Sequence, residues 1–458
     1  MLLKSLVFVA GVATTAAKVE FMGMNIAGFE FGCQIDGSCP TSSVTPPLST
    51  LGGGDGAGQM QHFVNDDQMN IFRLPVSWQF LVNNKLGGTL DSTNFGKYDQ
   101  LMQSCLSTGA YCAIDLHNFA RFNGNIIGQS SDGPSDAQFA DLWTQLATRY
   151  KSDTKVVFGL MNEPHDVDIV AWANTVQLAV TGIRNVGTST QMILLPGNNF
   201  TSAATFVSNG SGAALIKVAN PDGSTDGLIL DIHKYLDVDN SGTHSDCTTD
   251  NISDAFSPVA AFLRQSGRQA ICFMDFCAQN AFLNQNSDVF LGYVAWGAGS
   301  FATSYTLSLT PSKLNGRFVD NALASQCVIS PWLSAGTAIV TSAIASNTAT
   351  ATAISSPNNQ GLSITAPASV GTSVLLGTSS STMATSPSGN GNANSVTQSA
   401  LIASPTSGLA TSVSRTSMTT TGIPASAPSQ LANVAKMEEI SWGIMAVMGA
   451  IIVAALLR

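Results

Sequence analysis

Six short apolar segments of the sequence end in polar, ionisable or indole-bearing residues. In chain order these residues are Asn25, Arg73, His117, Glu163, His233 with Tyr235, and Trp296. A positioned glutamate can act as a general acid, while imidazole, amide, phenol and guanidinium groups can hold a polar substrate. One polar strand end is usually a capped turn. Six of them predict side chains that are gathered at one site.

Glu163 is the leading catalytic candidate. It follows Asn162 and precedes Pro164, which ends the strand and fixes the turn. A carboxyl group surrounded by aromatic side chains keeps a raised pKa, so we expect Glu163 to act as a general acid. Asn162 is expected to bind a substrate hydroxyl group, and Arg73 to hold a catalytic carboxylate ionised.

The remaining candidates are expected to line the same site. His117 and His233 offer further donors, and Tyr235 faces the same way as His233 because strand side chains alternate. Trp296 offers an apolar platform for a ring. Asp231 shares the face of His233, but no third ligand stands at a suitable spacing. We therefore expect neither a metal nor a cofactor.

The elements that must position these residues are eight apolar runs, spaced by roughly 40 residues. They end near Asn25, Pro75, His117, Glu163, Asn198, Tyr235, Asp275 and Trp296. Near-continuous apolar runs indicate parallel strands that are buried on both faces. Helical spacing between them, as in 137–150 and 169–186, favours an α/β fold of the (β/α)8 (TIM) barrel type. An open doubly wound sheet is the alternative, but no glycine-rich loop follows the first strand.

The two ends of the chain differ from its centre. Residues 1–17 have a basic start, an apolar core and a small-residue cleavage site, which predict a signal peptide and secretion. Residues 333–435 are rich in Ser, Thr and Ala and predict a disordered stalk. Residues 436–458 end in an apolar run that predicts a glycolipid (GPI) anchor signal at the cell surface, with a plain membrane helix as the alternative. The globular region is 18–332.

The bulk composition narrows the functional classes. The net charge is −10 and only 10% of the residues are charged, which argues against nucleic-acid binding. Secretion predicts that the eight cysteines form disulfides. Cys33 with Cys39 and Cys105 with Cys112 are close in sequence, and the remaining four could form two further bridges. A zinc site is the alternative, but no CxxC spacing supports it. Sequons at Asn199, Asn209 and Asn251 also suit a secreted protein.

Several phrases of the chain resemble fungal endo-β-1,4-glucanases of glycoside hydrolase family 5. They are NIFRLPVSW, AIDLHNFARFNG, LMNEPHD, DIHKYLDVDNSGTH and GYVAWGAGSF. The resemblance implies a (β/α)8 barrel that cleaves β-1,4-glucan with retention, and a monomer is expected. It assigns Glu163 as the acid/base residue. It also implies that Arg73, His117, Asn162, His233, Tyr235 and Trp296 surround the substrate and the nucleophile.

The nucleophile is where the chain departs from the family. The family's nucleophile is a Glu that follows a Thr at the end of strand seven and precedes a glycine-rich loop. Two alignments of RQAICFMDFCAQN with the family are possible. One places Asp275 near the position of the family's Glu, but the Asp side chain is one methylene shorter and stands one residue out of register with that Glu. The alignment that we prefer assigns CFMDFCAQN to the following helix. About ten residues that include the nucleophile are then missing between Ile271 and Cys272.

Three functional hypotheses follow. The first is a secreted, surface-anchored endo-β-1,4-glucanase. The second is a catalytically inactive glucan-binding protein that keeps the cleft, and the third is a structural wall protein whose stalk matters most. The gap itself has two possible origins, a true loss from the protein and a misplaced splice junction in the deduced sequence.

Overall fold

The computed structural model describes residues 18–235, 237, 240, 242, 244, 250–274 and 277–336. The predicted signal peptide, most of the stalk and the anchor signal therefore lie outside the described residues. Among the helices of the described part, none combines the length and the hydropathy needed to cross a bilayer.

Eight parallel strands close into a barrel, as the sequence predicts. The described residues form twelve strands, numbered here in chain order, and the barrel has the order β1-β10-β9-β8-β7-β6-β3-β2. Its strands are β1 (Phe21–Ala27), β2 (Ile71–Val76), β3 (Tyr111–Leu116), β6 (Val156–Gly159), β7 (Ile193–Pro196), β8 (Leu228–Lys234), β9 (Ala270–Met274) and β10 (Phe290–Gly299). The antiparallel pairs β4 (Arg121–Phe122) with β5 (Asn125–Ile126) and β11 (Ser312–Leu314) with β12 (Arg317–Val319) stand outside the barrel.

Helices alternate with the barrel strands and cover their outer face. They are α1 (Gly56–Asn65), α2 (Trp78–Leu81), α3 (Ser92–Ser107), α4 (Asp136–Tyr150), α5 (Ile169–Asn185), α6 (Ser211–Leu215), α7 (Ser257–Ser266), α8 (Cys277–Gln285) and α9 (Ser330–Ser334). Helices α4 and α5 confirm the two predicted helical segments. Local signals set their starts, because Ser135 and Gln138 form a capping box and Asp168 caps α5.

The strands are buried on both faces, which explains their near-continuous apolar sequence. One face packs against the helices. The other fills the barrel interior with Phe21, Ile71, Ala113, Val157, Leu194, Ile229, Ile271, Phe273 and Val294. Every barrel strand contributes one residue to this inner layer, except β9, which contributes two.

The preferred alignment around strand seven is wrong in one respect. It assigned the residues from Cys272 onward to a helix, but β9 runs from Ala270 to Met274 and α8 begins only at Cys277. The physical reason is closure of the barrel. Strand β9 pairs with β8 over five residues and also with β10, and without it both neighbours would keep unpaired backbone groups.

The cysteine prediction is confirmed for two pairs and wrong for one residue. Disulfides join Cys33 to Cys39 and Cys105 to Cys112, and Cys327 is also disulfide-bonded. Cys272 is a free thiol, fully buried in the middle of β9. Burial first, and then the charge of Asp231, raise the pKa of this thiol well above its usual value, so it is unreactive.

The three predicted glycosylation asparagines lie in different surroundings. Asn199 is exposed, whereas Asn209 is half-buried. Asn251 is buried, and its amide donates a hydrogen bond to the carbonyl of Tyr235. Of these three asparagines, only Asn199 is therefore well exposed for glycosylation in the folded protein.

Candidate active site

A polar layer stands above the apolar filling of the barrel, at the carboxyl ends of the strands, which we call the mouth. Strand alternation places it there. In β2, Arg73 comes two residues after the inward-facing Ile71, and in β8, Asp231 comes two residues after the inward-facing Ile229. Active sites of such barrels lie at this end.

Arg73 is the centre of a buried polar network. Its Nη2 lies 2.8 Å from Asp115 Oδ1 and donates to Asn162 Oδ1 at 2.6 Å, while Nη1 donates to Asn25 Oδ1 at 3.1 Å. Its guanidinium carbon lies 4.7 Å from the ring centre of Phe273. Through these contacts the Arg73 guanidinium connects β2 to β1, β3, the turn after β6, and β9.

Asp115 connects this network to the first site histidine. Its Oδ2 lies 2.8 Å from Nδ1 of His117. Burial would raise the pKa of Asp115, but the charges of Arg73 and His117 outweigh burial and hold that pKa below its usual value. The ring of His117 stacks on Trp296 at 5.6 Å and 21°, and Phe301 meets Trp296 edge-on. Only 7% of Trp296 is exposed, so the predicted ring platform is largely covered by neighbouring rings.

Glu163 stands at the mouth in a strained backbone conformation. Strand β6 ends at Gly159, four residues earlier, and Glu163 has a left-handed φ of 44°. A positive φ is costly for a residue with a Cβ atom, and such strain concentrates at functional sites. The turn is fixed because the Asn162 N–H donates to the Leu116 carbonyl at 2.8 Å and Pro164 follows.

His233 makes the closest contact with Glu163. Its Nδ1 lies 2.8 Å from Glu163 Oε1, and its Nε2 lies 3.3 Å from Asp231 Oδ1. The second contact has the distance of an ion pair but not the alignment of a hydrogen bond. Burial alone would lower the pKa of His233, but Asp231 and Glu163 raise it to about 9. His233 is therefore a cation at neutral pH.

The expected raised pKa of Glu163 is wrong in this structure. Burial would raise it, as the sequence reasoning assumed. The hydrogen bond and charge of His233 outweigh burial, with smaller contributions from His117 and Arg73, and the pKa lies below its usual value. Glu163 is thus an ionised carboxylate held by a cationic imidazole.

Comparisons with known proteins assign the chain to a family. The family pattern described as cellulase (glycosyl hydrolase family 5) matches residues 28–295. The chain belongs to glycoside hydrolase family 5. Endoglucanase EG-II of Hypocrea jecorina is 59% identical over 329 residues, which are 69% of this chain and 78% of that protein. Endoglucanase 1 of Saitozyma flava is 45% identical over 317 residues, 66% of this chain and 86% of that protein.

A solved structure extends the comparison to three dimensions. The crystal structure of Cel5A (EG2) from Hypocrea jecorina matches with a TM-score of 0.67 and 58% sequence identity. The match covers 68% of this chain and 99% of that chain. The family resemblance and the barrel fold inferred from the sequence are thereby confirmed.

Two predicted residues lie at the edge of what the structure describes. Tyr235 follows β8 and is half-buried, and its backbone N–H donates to Asn240 Oδ1 at 3.0 Å. Asp275, the low-ranking nucleophile candidate of this family 5 chain, lies outside the described residues. Of the predicted site residues, the structure brings Arg73 and Asn162 into one network, His117 against Trp296, and Glu163 against His233.

Two buried acidic residues near the mouth, Asp115 and Glu30, were not among the site residues predicted from the sequence. Asp115 was detectable, because it stands two residues before His117 and shares its strand face. Glu30 had no such signal, since it lies in the loop after β1. Its Oε2 accepts from the Gly28 N–H at 2.7 Å. Burial raises the pKa of Glu30 to about 8, and it outweighs the backbone hydrogen bonds from Gly28 and Glu30, which lower that pKa.

Proposed function

We propose that this protein binds β-1,4-glucan at the mouth of the barrel and that the mouth is built for endo-acting hydrolysis with retention. Glu163 is the proposed acid/base residue. The observation that carries the proposal is the pair of Glu163 and His233, 2.8 Å apart, set beside the Arg73 network in a family 5 barrel. The endoglucanase names of its relatives support the same substrate class.

The other predicted residues have complementary roles in this proposal. Asn162 and His117 are polar groups suited to sugar hydroxyls, and Tyr235 adds a phenol from the end of β8. Trp296 contributes beside them the small part of its ring that His117 and Phe301 leave uncovered. Arg73 holds two of these residues in place, because it contacts Asn162 directly and contacts Asp115, which in turn contacts His117.

Retention requires a second carboxyl group about 5–5.5 Å from the first, to act as the nucleophile. We propose that the segment carrying it is missing between Ile271 and Cys272. Two observations support this. Within its described part, β9 presents Phe273 next to His233, with ring centres 5.2 Å apart. The lowered pKa of Glu163 is also what we expect without a neighbouring carboxylate, whose negative charge would raise it.

A second candidate function follows for the chain as written, namely glucan binding without turnover. An ionised Glu163 cannot donate a proton to a leaving group, and without a nucleophile no glycosyl-enzyme intermediate forms. The binding residues do not depend on that segment. The chain as written is therefore expected to bind β-1,4-glucan and to hydrolyse it poorly.

The test compares the chain as written with one that carries a Thr-Glu-Gly-rich segment inserted after Ile271. Binding of cello-oligosaccharides is measured by calorimetry and turnover with a soluble β-glucan. We expect both proteins to bind and only the second to turn over substrate. In that protein Glu163→Gln should lower turnover by about 10²–10⁴-fold and leave binding largely unchanged.

Two controls separate the alternatives. Turnover by the chain as written that disappears in Asp275→Ala would make Asp275 the nucleophile and refute the missing segment. Failure of both proteins to bind glucan would leave the structural wall protein as the remaining hypothesis. Sequencing the transcript across Ile271–Cys272 decides between the two origins of the gap. A transcript without the segment means that the protein truly lacks it. A transcript that contains the segment means that the deduced sequence has a misplaced splice junction.

We propose further that the protein is secreted, held at the cell surface and monomeric. The sequence of residues 1–17 and 436–458 supports the first two points. Release of the protein from intact cells by a phospholipase specific for glycolipid anchors is the expected result. Retention after that treatment would favour a membrane helix instead. Size-exclusion chromatography tests the monomer.

A further inference from the structure

A second cluster of ionisable residues lies at the opposite end of the barrel from Glu163. His62 is in the last turn of α1, Asp67 is in the turn that leads into β2, and Asp320 follows β12. Because Asp67 precedes the first residue of β2, the cluster stands at the amino ends of the strands. It takes no part in the site described above. We call these three residues the His–Asp cluster.

The hydrogen bonds of His62 determine where its lone pair points. Its Nδ1 lies 2.6 Å from Oδ2 of the exposed Asp66. Its Nε2 faces Oδ2 of Asp320 at 3.1 Å and Oδ2 of Asp67 at 3.7 Å. When Nδ1 carries the proton that Asp66 accepts, Nε2 is an acceptor that faces two more acceptors. Such an arrangement needs a proton or a metal cation between Nε2 of His62 and the two carboxylate oxygens.

A proton on His62 leaves the cluster incompletely satisfied. Asp67 is 6% exposed, and among the described residues its Oδ2 has no hydrogen-bond partner, nor has Oδ1 of Asp320. A buried carboxylate oxygen without a partner is costly. Burial and the charge of Asp320 also raise the pKa of Asp67 to about 7, which indicates that negative charge is crowded there.

We propose that His62, Asp67 and Asp320 bind one divalent transition-metal cation through Nε2 and one oxygen of each carboxylate. Within the described residues, this is the one group of three ligating side chains whose donor atoms all lie within 4.8 Å of one another. Ligand atoms at 2.0–2.2 Å from a metal stand roughly 3–3.6 Å apart. Two of the observed separations, 3.1 and 3.7 Å, already approach that range.

The donor set narrows the choice of metal. One imidazole nitrogen with two carboxylates suits Mn²⁺ or Zn²⁺, whereas Ca²⁺ and Mg²⁺ prefer oxygen ligands alone. Asp66 has the place of the outer carboxylate that orients a metal-bound histidine through its other ring nitrogen. A cation there would join α1, the turn before β2 and the hairpin of β11 and β12. Its expected role is therefore to stabilise the barrel, not to take part in hydrolysis.

The experiment uses the full chain, stripped of metal with a chelator and dialysed. Mn²⁺ is titrated and followed by the electron paramagnetic resonance of the free ion, and Zn²⁺ is titrated by calorimetry. We expect one saturable site. At a hundredfold excess over Kd we also expect a rise in Tm of about 5 °C.

Asp67→Asn and Asp320→Asn should each abolish the saturable site and the metal-dependent rise in Tm. Asp67→Asn is nearly isosteric and removes a crowded charge, so its metal-free Tm should equal or exceed that of the parent. Asp66→Asn should weaken binding by about 10–100-fold without abolishing it.

Asp166→Asn is the matched control. Asp166 also pairs with a histidine Nδ1, that of His165 at 2.8 Å, but the Nε2 of His165 meets the carbonyl of Ile35. Metal binding should be unchanged in this variant. Absence of saturable binding by both ions, or binding that survives in Asp67→Asn and Asp320→Asn, would overturn the proposal. The cluster would then be an ion-pair group centred on a protonated His62.

Discussion

Strands β8 and β9 lie side by side in the barrel and are paired over five residues, yet they bring different chemistry to the mouth. Strand β8 presents Asp231 and His233. At the paired positions β9 presents Ile271 and Phe273, which both belong to the apolar filling of the barrel. One strand supplies charge and the other supplies packing.

The difference teaches that closing a barrel and building its active site are separate requirements. Closure needs backbone hydrogen bonds on both sides of each strand and apolar volume inside. Strand β9 meets both needs with Ala270–Met274. Catalysis needs particular side chains at the strand ends, and nothing in the pairing requires them. A complete fold therefore does not imply a complete site.

Phe273→Ala should give the largest effect on stability. The ring is 4% exposed and packs against His233 and under the guanidinium of Arg73. Its removal should lower the free energy of unfolding by about 3–5 kcal/mol, through lost apolar burial and a cavity. Urea unfolding at pH 6 and pH 9 measures this loss in the free energy of unfolding. Because the ring does not titrate and Arg73 is charged at both pH values, the loss should be nearly equal at pH 6 and pH 9, and a clear pH dependence would contradict this account.

His233→Gln should show the opposite behaviour on the neighbouring strand. The pKa of His233 is about 9 in the folded protein, above its usual 6.5. The folded state therefore binds this proton more tightly. The stabilisation is complete below about pH 6.5 and is lost as the pH rises through about 9. We expect a loss of about 2–3 kcal/mol at pH 6 that shrinks toward pH 9.5.

Phe273→Ala is the control for that experiment, because its side chain is the cross-strand partner of His233. If His233→Gln cost the same at pH 6 and pH 9.5, the imidazole would be neutral in the folded protein. The charged pair with Glu163 would then be refuted.

Asp231→Asn should act mainly on the charge of His233. The carboxylate lies 3.3 Å from Nε2 and is a leading cause of the raised pKa. Its loss should lower that pKa from about 9 by about 1 and cost about 1 kcal/mol at neutral pH. Titration of the imidazole signals by nuclear magnetic resonance measures the shift. An unchanged pKa would leave Glu163 as the dominant partner.

Cys272→Ala should give an effect as small as that of Asp231→Asn, and one that does not depend on charge. The thiol is buried in β9, and removing its sulfur should cost about 1 kcal/mol through lost packing. In the native parent protein, the thiol should not react with a soluble thiol reagent until the protein is unfolded. Rapid labelling in the folded state would mean that β9 opens easily. Strand β9 would then not be the stably packed neighbour of β8 that its buried side chains indicate.

The sequence by itself determined the barrel, and it predicted most of the side chains that the structure gathers at the mouth. Eight apolar runs at regular spacing and strong helix caps such as Ser135 and Asp168 are local signals, and local signals survive folding. The strand ends also identified Glu163 and His233 as candidates. The family phrases supported the same assignment, because whole motifs stand in the right order.

Only the tertiary structure decided the charge of the site and the choice between the strand and the helix assignment of CFM. The pKa of Glu163 depends on His233, which is 70 residues away in sequence. Burial alone predicts a raised pKa, and the opposing charge of His233 leaves no signal in the residues around Glu163. Likewise, CFM is ambiguous as a short apolar run, and it became a strand because β8 and β10 both needed a partner. Long-range pairing and long-range charge are set by the fold as a whole, and no local pattern records them.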